Sequence, residues 1–501
     1  MLNNISYQNY QKISADIRAI DYALSIISWD SQTVAPKGCF EDRGEYIANL
    51  SKQRHILATS KEYVSAVKEL YTQKENLSDE LLFEITRVKK DIEQLQKVPA
   101  DEYAEYNYLI SKAEMTWQKA KSENNYQIFA PVLKQLILST KKLVKYWSTP
   151  SLKGYDVLLD LYEPGYKMSK YDKLFDLLRV KLVPFIKKIS EKGYKPSNDF
   201  YGSFPIEKQK KFQKYLAEVM CFDLEYGVLG ESEHPFTNGF SPSDVRITNH
   251  FYENLFTSSI FSALHELGHA TYERNVSKDL FNTNSCCGGT MALHESQSRF
   301  YENIIGRSYD FWKIHFKKLK ETFPKELKNI RLKDFYQFVN EVKPSYIRVE
   351  ADELTYPLHI MVRYQLEKEI FNDLIDLDHL EERWNELFYE YLGIKVDSPI
   401  NGILQDSHWS GGAFGYFPTY ALGSAYASQI YYSMKKDFNI KESLKSGNTK
   451  DINDWLKDKI HKYGYSKSTK DILYIATGKK FNPEYYIKYL INKYSKIYDI
   501  K

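Results

Sequence analysis

Two histidines four residues apart, with a glutamate directly after the first, lie in the run Ser262-Ala263-Leu264-His265-Glu266-Leu267-Gly268-His269-Ala270. Successive residues of an α-helix turn by about 100°, so a helix stacks His265 on His269 and points both imidazoles at one place. A zinc ion suits that place, because it takes neutral imidazole nitrogen at about 2.0–2.1 Å and keeps a position open where it is catalytic. Glu266, on the adjoining edge of the same turn, is set to take a proton from a water there and pass it to a leaving amine. Gly268 leaves the helix bare where it faces either a substrate or a second helix. A helix is therefore predicted from near Glu253 to Asn275. Chance alone gives HExxH in roughly one chain in a hundred of this length, so the rest of the sequence has to decide.

A third ligand is needed. After the loop Asn282 to Gly289, another helix is predicted from about Thr290, with Glu295, Arg299 and Glu302 on one face. Glu295, 26 residues after His269, is the best candidate. His294 competes, but it points about 100° away on the same helix, so only one of the two can face the metal. Glu302 and Arg299 either orient the ligands or form an ordinary surface pair. Cys286 and Cys287 read as small loop residues, because adjacent cysteines close only a strained disulfide.

At 501 residues the chain exceeds the size of a single core, and two lobes with a cleft between them are expected. The pattern is helical almost throughout. Residues 1–150 read as a helical lid or wall without a core of its own, and 151–501 as the lobe carrying the site, with breaks at Thr149-Pro150 and Glu163-Pro164-Gly165. Ser78 or Asp79 can cap a helix that runs to Val98-Pro99. A small sheet is expected beside the metal helix. Within it Asp244 to Thr248 alternates polar and apolar residues, either as an edge strand open to an extended peptide or as a half-buried strand with a charged face. From Tyr346 a helix is predicted to continue towards Asp373, and there Arg348 either pairs with Asp352 one turn on or clamps a substrate carboxylate. The glycine- and aromatic-rich run from Gly402 to Tyr420 suggests a loop close to a ligand. His408, Tyr416 and Tyr420 are candidate oxyanion donors or packed core groups.

The balance of 69 Lys+Arg against 66 Asp+Glu gives no field for nucleic acid or an anionic membrane. No apolar run reaches membrane-spanning length, and the opening residues lack the apolar stretch of a signal peptide. Four cysteines in a chain this long fit a reducing cytoplasm.

Six short motifs occur in order: His234-Pro235-Phe236, the DxRxT run Asp244 to Thr248, HExxH, His294-Glu295-Ser296-Gln297, IRxxAD from Ile347 to Asp352, and GxxQDxHW from Gly402 to Trp409. On these the chain resembles the M32 family of metallocarboxypeptidases, the thermostable carboxypeptidase group, over essentially its whole length. The resemblance implies a mainly α, two-lobed metallopeptidase with a deep central cleft, usually a homodimer. It implies one Zn2+, sometimes replaced by Co2+, on His265, His269 and Glu295, with Glu266 as acid/base and Arg348 on the substrate's terminal carboxylate. It further implies single-residue removal from peptide C-termini with broad specificity, poor at proline. His234, Asp244, Arg246, Gln405, His408, Tyr416 and Tyr420 are expected to contact substrate. Asn249 and the Cys286-Cys287 pair depart from the family pattern.

Overall fold

A computed structural model of the chain describes residues 5–193, 196 and 200–500. It is mainly helical. The first helices are α1 (Ile5–Thr33), α2 (Phe40–Ala58), α3 (Lys61–Thr72), α4 (Asp79–Lys97), α5 (Ala100–Ser122) and α6 (Tyr126–Trp147). Ser78 caps α4 by accepting from Leu81 N–H, and Pro99 ends it, as the sequence suggests. Then come α7 (Tyr155–Tyr162), α8 (Met168–Lys192) and α9 (Ile206–Val219), strands β1 (Gly227–Glu231), β2 (Thr237–Ser241) and β3 (Asp244–Asn249), α10 (Phe256–Arg274) and α11 (Met291–Arg299). A π-helical turn, Phe300–Ile305, prolongs α11. Beyond it lie α12 (Tyr309–Thr322), α13 (Leu332–Phe338), α14 (Tyr356–Phe371), α15 (Leu380–Leu392), α16 (Pro418–Asp437) and four further helices ending with Glu484–Tyr498. No helix among the described residues is long and apolar enough to cross a membrane.

Two separate cores hold these elements. The smaller joins Tyr10 and Ile17 of α1 to Tyr63, Val67 and Leu70 of α3 and Ile85 and Ile92 of α4. The N-terminal helices thus have a core of their own, contrary to expectation. The cores also divide the chain earlier than residue 150, because α5 and α6 give Trp117, Phe129, Leu133 and Leu136 to the larger core with the rest of the molecule. The spacing of those residues places them on one helical face, but which core receives the face is settled only by tertiary packing.

The sheet has the order β1-β3-β2, with β1 parallel and β2 antiparallel to β3, which decides against the edge-strand alternative. The Asp244 to Thr248 strand is central, both its edges are paired, and no peptide can add to it. Alternation alone does not separate central from edge strands. Val245 and Ile247 are fully buried, and the sheet packs on α10 through β2 and β3.

No helix runs on from Tyr346. Residues Arg348–Glu350 form a single 3-10 turn, and α14 begins at Tyr356 with Pro357 in its first turn. Asp352 accepts from Leu354 N–H, Thr355 N–H and Thr355 Oγ1, so its carboxylate closes the turn ahead of the helix instead of meeting Arg348. Pro357 has no N–H to give and fits only the first turn of a helix, which is why the pattern breaks there.

Candidate active site

Helix α10 carries His265 and His269 one turn apart, with ring centroids 4.9 Å from each other. Helix α11 lies against it at backbone contact: a Cβ on Gly268 would stand 2.7 Å from Ser298 Cα. The bare position in HExxH therefore faces a second helix. On the opposite side of α11, a Cβ on Gly423 of α16 would stand 2.8 Å from Glu295 Cβ. Glu295 is held between two helices that approach this closely only because both present glycine.

That packing brings Glu295 Oε2 to 3.8 Å from His265 Nε2 and 3.6 Å from His269 Nε2. The three ligand atoms lie within 4.8 Å of one another. Three donors about 2 Å from one ion would sit about 3.3 Å apart, so the triangle is close to the size a single cation needs. The far side of each imidazole supports the same role. His265 Nδ1 is 2.8 Å from Glu302 Oε2. His269 Nδ1 is 2.6 Å from His294 Nδ1, and His294 Nε2 is 2.7 Å from Glu273 Oε1. Protons on both Nδ1 atoms satisfy these carboxylate-terminated contacts and leave each Nε2 with a lone pair toward Glu295. The residues fit a metal ion.

His294 does not share the ligand position with Glu295; it stands behind His269. Arg299 donates to Glu295 Oε1 at 2.7 Å and to Glu302 Oε2 at 3.1 Å, and Glu302 is presented by the π-helical turn. Burial opposes a charge on Glu302, but Arg299, His265 and Arg307 outweigh it and hold its carboxyl down at about 2.

Glu266 is buried beside the triangle. Thr237 Oγ1 of β2 donates to its Oε2 at 2.6 Å and to its backbone carbonyl at 3.1 Å. Burial raises the Glu266 carboxyl above its usual range, the direction that makes a carboxylate a better proton acceptor near neutral pH. Thr237 carries no spacing signal in the sequence, because only the β2–α10 packing brings it here.

The remaining candidates fall into three groups. Arg348 is buried, with Nε and Nη2 on Asp406 Oδ1 at 3.0 and 2.8 Å and Nη1 donating to Tyr356 Oη at 3.0 Å. Asp406 also holds Arg363, and although burial opposes its charge, the two arginines keep its carboxyl well below the ordinary range. Gln405 anchors this turn by accepting from Arg348 N–H and donating to Tyr346 O and Gly402 O. Tyr356 lies over Arg299, so the Arg348 cluster adjoins the Glu295 shell. His408 Nε2 is 3.1 Å from Tyr420 Oη, and burial keeps that histidine neutral, at about 3. Tyr416 packs edge-on to Tyr420, and both phenols feel the Glu295 charge. Asp244 and Arg246 are paired to each other at 2.8 Å through two bonds, with Arg246 over Trp29 of α1, so this charged pair faces the N-terminal helices. His234 is exposed in the turn between β1 and β2. Asp406, Glu273 and Thr237 are additions made by the structure. Asp406 had a signal in its place in GxxQDxHW and Glu273 in its position one turn after His269 on the same helix, whereas Thr237 had none.

A mainly helical protein whose HExxH helix meets a glutamate from the next helix, with a buried carboxylate beside the pair, has the layout of a metallopeptidase. Comparison with known proteins gives the particular group. The chain belongs to the carboxypeptidase Taq (M32) metallopeptidase family, whose model matches residues 9–494. It is 42% identical to carboxypeptidase 1 of Bacillus subtilis over 95% of both chains, and 32% identical to thermostable carboxypeptidase 1 of Thermus thermophilus over 99% of this chain and 100% of that one. A solved structure of Pyrococcus furiosus carboxypeptidase superposes with a TM-score of 0.94 at 33% identity, covering 98% of this chain and 99% of the other. The protein is a metallocarboxypeptidase, a hydrolase acting on peptides.

Proposed function

We propose that the enzyme removes single residues from peptide C-termini with one Zn2+, or Co2+ in its place, held by His265, His269 and Glu295. The observation that carries this reading is the triangle of ligand atoms with Glu266 on the same helix. A zinc ion bound there supplies Lewis acidity toward the scissile carbonyl. Glu266 takes the proton of the attacking water and hands it to the departing amine nitrogen. Thr237 fixes Oε2 of that carboxylate, directing proton traffic to Oε1. Tyr416 and Tyr420, which face the Glu295 charge, supply phenolic donors to the oxyanion, with His408 orienting Tyr420.

Arg348 receives the terminal carboxylate. Asp406 and Gln405 hold its guanidinium and backbone in place, and the aromatic faces of Tyr420 and Tyr356 exclude water around it. Within the sheet, β2 and not β3 offers a free edge beside α10, and an extended substrate would lie along it. His234 stands at the entrance to that edge. Asp244 and Arg246 act at one remove, by seating the N-terminal helices. The family resemblance further supports broad specificity, poor cleavage at proline and a homodimer, and four unpaired cysteines suit the cytoplasm.

The test is mass spectrometry of two peptides, one with a free C-terminus and one amidated, incubated with zinc-loaded and with chelator-treated enzyme. Stepwise loss of single residues from the free-acid peptide alone, abolished by chelation, is expected. Arg348→Ala should lower kcat/KM on that peptide by at least about 100-fold, as loss of a charged contact made in the transition state does. Internal cuts in both peptides would instead show an endopeptidase and release Arg348 from its role.

A further inference from the structure

The loop joining the two ligand helices is gripped from one side by the N-terminal helices and touches, on its other side, the shell behind His269. Ser285 Oγ donates to Glu84 Oε2 of α4 at 2.8 Å, and the other oxygen of that buried carboxylate accepts from Tyr10 of α1 at 2.7 Å. Arg87, one turn further along α4, donates to Asn284 O at 3.0 Å and to Ser285 Oγ at 3.2 Å. The Asn284 side chain completes the grip, donating to Tyr10 Oη and accepting from Arg18 Nη1, both at 2.9 Å.

Three residues beyond Ser285, Gly288 N–H donates to Glu273 Oε1 at 2.9 Å, the same oxygen that meets His294 Nε2. Glycine is required there, since a Cβ would stand 2.5 Å from His294 Cδ2. Between the two anchor points lie only Cys286 and Cys287, so the connection spans no more than about 11 Å and has little slack. The order of contacts is therefore α1 and α4, loop 284–288, Glu273, His294, His269.

We propose that this loop couples the N-terminal helices to the metal site: the seating of α1 and α4 sets how firmly His269 holds its ion, with Glu273 and His294 as positioning residues. Outer hydrogen bonds fix the orientation of a ligating imidazole, and losing them typically costs 10–100-fold in metal affinity. The coupling rests on His265, His269 and Glu295 being the metal site.

The experiment measures zinc release from the full-length enzyme into an excess of a chromogenic chelator, for the unaltered chain and for Ser285→Ala, Glu84→Gln, His294→Gln and the Ser285→Ala/His294→Gln pair. Expected are release about 10–100-fold faster for His294→Gln, several-fold faster for Ser285→Ala and Glu84→Gln, and no further increase when Ser285→Ala is added to His294→Gln. Asn284→Ala removes the Tyr10 and Arg18 contacts without disturbing the buried carboxylate, and stands in should Glu84→Gln fail to fold. Unchanged release in the loop variants, or effects that simply multiply in the pair, would overturn the coupling alone. Failure of the unaltered chain to hold one zinc, or retention of that zinc by His269→Ala, would overturn the metal-site reading and the coupling with it.

Discussion

At Glu266 the proposed chemistry and the metal site can be separated. The residue is not one of the three grouped ligands, and its carboxylate is held by Thr237. Glu266→Gln should therefore keep one bound zinc, measured by elemental analysis, while kcat falls by several orders of magnitude on a free-acid peptide; retained activity would remove it from the mechanism. The residues that converge here were legible to different degrees. Helical spacing singles out His265, Glu266 and His269, and the return of the next helix offers Glu295 with His294 as its competitor. A residue reaching the site from elsewhere leaves no such trace: Thr237 comes from a strand 29 residues upstream of Glu266. The two loop cysteines illustrate the opposite case, a visible pair without evident chemistry. Burial raises the thiols to about 11 for Cys286 and about 12 for Cys287, so neither supplies much thiolate at neutral pH.

At the scale of elements, the close contact of α10 with α11 is the feature most open to test. Alanine is favoured over glycine within a helix by about 1 kcal/mol, but overpacking costs about 1–3 kcal/mol, and at Gly268 the obstruction is the backbone of Ser298 and Gln297, which cannot swing aside. Gly268→Ala should therefore shift the denaturant midpoint downward and weaken zinc retention together; a variant as stable as the parent would show that the helices part easily. A helix end with a capping residue was readable, as at Ser78, and so was the start of α11 near Thr290. Where the sequence left a choice or misled, the cause is shared. Strand β3 and the turn at Arg348 follow local patterns that fit two structures, and the choice is made by β2 pairing on one side and by Asp352 and Pro357 on the other.

Across the whole molecule, buried carboxyl groups tie stability to pH. Glu163 accepts from Thr290 at the start of α11, and Glu367 from Tyr155, Trp409 and Gly415 N–H around the aromatic loop. Burial pushes both up to about 7. Between about pH 4.5 and 7 the folded chain keeps protons that the unfolded chain releases, so the stability these two contribute is full below that window and declines as the pH rises through it. Asp406, held low by its arginines, works in the other direction: its contribution is full above the ordinary carboxylate range and is lost as the pH falls from there towards its own depressed value. Denaturant midpoints at pH 5 and pH 8 should thus differ less for Glu163→Gln than for the parent; an unchanged difference would exclude Glu163 as a source of the slope. The division into two cores was not legible, since an apolar helical face does not name its partner and only packing assigns α5 and α6 to the larger one.

The two glycine contacts that flank α11 bear on how this centre could be moved or remade. Gly268 and Gly423 set the separation of the three helices, and with it the spread of the ligand atoms, before any side chain is chosen. Grafting His265, Glu266, His269 and Glu295 onto another helical scaffold would import the donors without their spacing. The transferable unit is the stack α10–α11–α16 with both glycines in register, together with the short loop 284–288 that ties Glu273 and His294 to it.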